Sequence, residues 1–113
     1  MSSSPGPVHV TRGASLTASG GQTSGMIRKN AITSLSSKIC ASVMIAKPHT
    51  SSDVHHHGEQ DTIVQDLGPG DFALIPAYKE HQEVNDSDEE VVWIITRSGG
   101  EPIVENLKGW NQS

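Results

Sequence analysis

The segment Gly70–Asn85, "GDFALIPAYKEHQEVN", decides how the rest of the chain is read. It continues a Gly-Pro turn, "GPG", into a short apolar run that ends at Pro76. Proline has no N–H to give to a ladder, so it stops a strand there. His81 then opens a second strand candidate, "HQEV", which runs into the turn residues "NDSDEE". Short strands bracketed by turn chemistry point to an all-β fold.

The flanking sequence repeats the pattern. "SKICASVMIAKP" alternates, with Ile39, Ala41, Val43 and Ile45 on one face and Cys40, Ser42, Met44 and Ala46 on the other. That is the period of a strand, closed by Pro48. "DTIV", "EVVWIITR" and the tail at Pro102–Glu105 add further strand candidates. Apolar residues nowhere hold a 3.6-residue period over several turns, so the expected architecture is a β-sandwich or β-barrel. Residues 1–24, rich in Ser, Gly, Thr and Pro, read as a flexible arm with a short edge strand at Val8–Val10. Residues 25–113 then form the single domain.

Composition excludes several classes of function. The 113 residues carry eight Lys and Arg against thirteen Asp and Glu, a net charge of -5. A nucleic-acid surface needs clustered cations, so no nucleic-acid partner is expected. The run "VVWII" is the longest strongly apolar one and cannot span a bilayer. The N-terminus lacks the apolar core of a secretory signal, so a cytoplasmic location is expected. Cys40 is the sole cysteine, which rules out an intrachain disulfide and a thiolate-rich zinc site. A small buried hydrophobe is its expected role.

Three consecutive histidines stand in "DVHHHGEQD", Asp53–Asp61. On a strand, His55 and His57 point to one side and His56 to the other. Two imidazoles at that spacing can share a metal ion. Asp61 follows with a carboxylate, Glu59 is the alternative, and His81 supplies a third imidazole from the later strand. Such a nitrogen and oxygen set suits one divalent ion of Fe, Mn, Zn, Ni or Cu, and ligand type alone does not choose among them.

Two patterns now stand together: H-x-H-x3-D-x6-G at His55, His57, Asp61 and Gly68, and G-x5-P-x-Y-x2-H-x3-N at Gly70, Pro76, Tyr78, His81 and Asn85. The pair resembles the two motifs of the cupin superfamily over roughly residues 38–98. Asp61 stands where that family usually has Glu, Tyr78 where it usually has Gly, and Thr50–Val54 lack the glycine that usually precedes the histidines. The resemblance implies a double-stranded β-helix, the RmlC-like jelly-roll barrel, with a metal inside one end. His55, His57, Asp61 and His81 are its implied metal ligands, and Asn85 and the glycines its implied structural residues. It also implies either a metal-dependent enzyme acting on a small molecule inside the barrel, of oxygenase, decarboxylase, isomerase or lyase type, or a non-catalytic binding protein. Tyr78 and Glu80, flanking His81, are weak candidates for acid–base work.

The two motifs nearly abut: Gly68 and Gly70 are two residues apart. Two strands and a turn between them would take roughly 12–15 residues. The barrel is therefore expected to be short of a hairpin after Val64, which would expose sheet edges for a homodimer to cover. Arg28 and Lys29 are placed to draw an anion toward the barrel mouth, although a solvated strand end is the more expected reading. Trp110 is expected to close one end of the barrel or a dimer contact.

Overall fold

A computed structural model describes residues 6–19, 23–65 and 70–111. The described chain is almost wholly β. After a 3₁₀ turn at Gly13–Ser15 come β1 (Thr17–Ala18), β2 (Met26–Ile32), β3 (Ile39–Ala46), β4 (Thr50–Ser51) and β5 (His55–His56). Then follow β6 (Thr62–Gln65), β7 (Phe72–Ile75), β8 (Val84–Asn85), β9 (Val91–Ser98) and β10 (Glu105–Asn106). Six strands form one antiparallel sheet in the order β1-β2-β3-β9-β6-β7.

The period-two rule explains what this sheet buries. In β9, Trp93, Ile95 and Arg97 are buried while Val92, Ile94 and Ser98 are exposed. The direct partners on β3 are Met44, Ser42 and Cys40, so the Cys40–Ala46 set of the alternation faces inward. Val64 of β6 lies opposite Ile95, and Met26 of β2 opposite Ala46. Met26, Ala46, Val64, Trp93 and Ile95 make the core, with Met44, Ile75 and Val91 packed on it. Each large apolar side chain so buried contributes about 1.5–3 kcal/mol.

The second face is smaller and interrupted. β4 pairs with β8, and β10 with β5. Between these pieces Ser52 N–H donates to Glu83 O (2.9 Å), and His55 and His81 exchange backbone hydrogen bonds of 3.0 and 2.9 Å. Residues 50–57 and 81–85 are thus one irregular antiparallel pair. Asp53 and Val54 oppose Gln82 alone between those contacts, which makes a bulge. This face carries the histidines.

Some expected elements fall elsewhere. Val8–Val10 is not a strand; the edge of the sheet is built by Thr17–Ala18, whose register against Asn30 and Lys29 lets it add to β2. The last strand is Glu105–Asn106 rather than Pro102–Glu105, because the pairing on offer is with His56 and His55. Gly68 lies outside the described residues. β6 pairs directly with β7, from Thr62 opposite Ile75 to Gln65 opposite Phe72. β7 is therefore the last strand of its sheet, with Phe72 and Leu74 about two-thirds exposed.

Candidate metal centre

The irregular pair brings His55 and His57 from one strand against His81 from its neighbour. Glu83 joins them by the same period-two rule, two residues beyond His81. One donor atom from each of these four residues lies within 4.8 Å of the others. His55 Nε2 is 3.0 Å from Glu83 Oε2, and His81 Nε2 is 3.6 Å from Glu83 Oε1. His57 Nε2 is 3.1 Å from His81 Nε2. Gly58, at φ 57°, takes the left-handed conformation that turns the chain away directly after His57.

The other nitrogen of each ring fixes what the inward one can do. His55 Nδ1 meets Asp53 O at 2.7 Å, His57 Nδ1 meets Ile103 O at 2.8 Å, and His81 Nδ1 meets Lys79 O at 2.9 Å. A carbonyl only accepts, so all three Nδ1 atoms carry a proton, and each ring turns inward its Nε2, the nitrogen that can ligate an ion once its own proton is gone. His57 Nε2 and His81 Nε2 lie 3.1 Å apart, and Arg97 Nη2 donates to the His57 atom at 3.3 Å. A divalent ion satisfies that arrangement, and the backbone anchors are the outer contacts that orient imidazole ligands. The residues present therefore fit a metal.

Buried Gln60 supports one of these anchors. Its Nε2 donates to Ser98 O and Glu101 O, both at 2.6 Å, and its Oε1 accepts from Ile103 N at 2.8 Å. That fixes the segment whose Ile103 carbonyl holds His57. Ser52 Oγ donates to Glu83 Oε2 at 3.0 Å and orients the carboxylate.

Charge is distributed unevenly. Burial, followed by the nearby Arg97 guanidinium, pushes the His57 imidazole down to about 3. Burial also works to lower His55, but the hydrogen bond and charge of Glu83 outweigh it and hold His55 above its ordinary value. Burial alone would raise Glu83; hydrogen bonds from His55 and His81 reverse this and hold its carboxyl well below the usual range. Arg97 is brought down to about 10, first by burial and then by Arg28.

The remaining expected residues sort clearly. Asp61 is not in the cluster: it is exposed at the start of β6, and its Oδ1 accepts from Ala77 N at 3.0 Å, which pins the turn after Pro76. Glu83 occupies the carboxylate position of the cluster instead. Glu59 is exposed. His56 faces away from the cluster, with Nε2 3.2 Å from Glu105 Oε2 and its ring against Tyr78. Glu80 Oε1 accepts from Asn111 N at 2.6 Å, and the Tyr78 side chain is largely exposed. Cys40 is buried, and burial pushes its thiol up. His49 is exposed beside Asp86 and Asp88. Trp110 is about half exposed.

Next to the cluster lies a cavity of about 400 Å³. His55, His57 and Glu83 reach it, Met26, Met44 and Val104 give it an apolar wall, and Arg28 and Arg97 supply positive charge. The volume suits a small organic molecule.

No protein-family model and no curated protein matches the sequence. Solved structures do match in fold. KdgF from Halomonas sp. superposes with a TM-score of 0.69 at 15% identity, covering 84% of this chain and 96% of that one. The polyketide cyclase RemF from Streptomyces resistomycificus gives 0.63 at 14% identity, covering 96% and 89%. An RmlC-like cupin from Shewanella frigidimarina gives 0.61 at 18% identity, covering 82% and 92%. At these identities the likeness is one of fold. Among the described residues, no helix is long and apolar enough to cross a membrane.

Proposed function

We propose that this chain, a cupin by its jelly-roll fold, is a metal-dependent enzyme acting on a small organic molecule inside the barrel. His55, His57, His81 and Glu83 are the proposed ligands of one divalent transition-metal ion. The observation that carries this reading is the fixing of all three Nδ1 atoms by backbone carbonyls, which leaves three Nε2 atoms and a carboxylate converging on one point. When bound, such an ion supplies a Lewis acid or redox centre beside the cavity.

The chain's own groups do the rest. Asp53 O, Lys79 O and Ile103 O hold the rings in position, and Gln60 holds the segment that carries Ile103. The apolar wall of Met26, Met44 and Val104 displaces water from the reacting region. RemF, a polyketide cyclase, supplies a precedent for chemistry on an organic molecule in this scaffold.

The test is metal content after purification without a histidine tag and reconstitution with Fe, Mn, Ni, Cu or Zn. Wild type is expected to hold about one equivalent of at least one of these ions. His57→Ala and Glu83→Gln should lose most of it, while His56→Ala should keep it. A wild type that stays metal-free with every ion, or an equal loss in His56→Ala, sinks the reading.

A further inference from the structure

We infer that the cavity takes a substrate bearing a carboxylate, and that Arg97 is the residue that holds that group. This rests on the reading of the cluster as a metal centre and adds a substrate class to it.

Arg97 is 3% exposed, yet among the described residues its guanidinium makes a single polar contact, from Nη2 to His57 Nε2 at 3.3 Å. Its Nε and Nη1 are buried and, among the described residues, have no hydrogen-bond partner, and no ion pair of Arg97 is found among them. A buried charge without a counter-charge is strongly disfavoured, and native interiors seldom keep one without a reason. Thr62, 1% exposed, lies directly opposite Arg97 across the β6–β9 pair, so their side chains share the inward face. Its Oγ1 is also buried and unpartnered. All the buried side-chain N and O atoms that lack partners among the described residues thus fall on this cross-strand pair.

The cavity lining has the same sense of charge. Glu83 is its one carboxylate among the described residues, against the two guanidiniums of Arg28 and Arg97. An ion held by the cluster would take the His57 Nε2 lone pair, the one acceptor Arg97 has among the described residues. A carboxylate beside the cluster meets the needs of Arg97. A guanidinium fork matches its two oxygens.

The experiment titrates acetate, pyruvate and benzoate, each against its neutral amide, into wild type, Arg97→Met and Arg97→Lys at fixed ionic strength. It is run on metal-loaded and metal-free protein, with calorimetry and melting temperature as readouts. At least one acid is expected to bind metal-loaded wild type at least tenfold tighter than its amide. Arg97→Met should abolish this preference while keeping its metal and without lowering its melting temperature, and Arg97→Lys should fall between. Equal acid binding by wild type and Arg97→Met, or no acid preferred over its amide, overturns the inference while a retained metal leaves the metal reading standing. Should wild type hold no metal, the metal reading fails by itself and the same comparison on metal-free protein still decides the role of Arg97. A lower melting temperature in Arg97→Met with unchanged acid binding makes Arg97 structural and also overturns the inference.

Discussion

Asn85 and Arg97 are equally buried, at 3% exposure each, and opposite in every other respect. Asn85 Nδ2 donates to Ala46 O, Lys47 O and Glu89 O at 2.8–3.1 Å, and its Oδ1 accepts from the amide and hydroxyl of Ser87. Every polar atom of that side chain is used to tie the end of β3 to the turn before β9. Arg97, on the next strand, has two nitrogens without a partner among the described residues. A side chain whose polar atoms are all matched within the chain serves the fold. One kept buried with unmatched atoms beside a cavity serves something that enters the cavity.

This contrast predicts stability changes of opposite sign. Asn85→Asp keeps the shape but turns a carboxylate oxygen toward three carbonyl oxygens. It should cost about 3 kcal/mol, read as a lower urea midpoint at unchanged slope. Arg97→Met removes an unpaired buried charge and fills the space with an apolar chain of similar length. It should gain about 1 kcal/mol or more in the metal-free protein. The contrast breaks if both substitutions destabilise to a similar degree.

The titration of the metal-free protein sharpens the same division, because His57 sits beside Arg97 and is held neutral partly by it. With a folded value of about 3 against an ordinary 6.5, His57 contributes stability that is present above 6.5. That stability is lost as pH falls, because the unfolded chain takes up a proton that the folded one refuses. His55 is raised, so its contribution is complete below 6.5 and declines only as pH rises through its folded value. Glu83 is depressed from an ordinary 4.5 and begins to matter only below that. Between pH 6.5 and 4.5 the slope therefore belongs to His57 among these three, at about 1 kcal/mol per pH unit. Wild type should lose stability across that window in chelator-treated buffer, and His57→Gln should flatten the loss. An unchanged slope in the mutant would show that His57 is not held neutral by its surroundings.

The fold was legible where strand period and turn chemistry agreed. The alternation at Ile39–Ala46, the proline stop at Pro76 and the apolar run at Val91–Ile95 each correspond to a strand. His55, His57 and His81 were legible as a group from i,i+2 spacing and motif resemblance together. Glu83 was available from the same rule, since His81 and Glu83 are also two apart, but the motif resemblance implies Asp61. Whether Asp61 or Glu83 turns inward depends on the Gly58–Gln60 turn and on the bulge at Asp53–Val54, and neither is written in hydropathy. Arg97 was hidden differently. Trp93, Ile95 and Arg97 fall on one face by period, so the sequence did place a charge inside. Placed last in an apolar run, it reads as the solvated end of a strand. Only the pairing with Cys40 and Thr62 closes both its sides.

The smallest expected effect tests an exposed counterpart to these buried groups. Tyr78 stands where the resemblance leads one to expect glycine, and its φ of 60° is the left-handed conformation glycine adopts without strain. Its amide donates to Gly58 O at 2.8 Å, joining the turn after His57 to the turn before His81. That bond is made by the backbone and survives any side chain. The phenol ring is 65% exposed and touches His56, which faces away from the cluster. Tyr78→Gly should therefore gain about 0.5 kcal/mol from relief of backbone strain and leave metal content unchanged. A loss of stability would show that the ring's contact with His56 outweighs the strain. A loss of metal would show that the phenol, and not only the backbone, helps to hold the two ligand-bearing turns together.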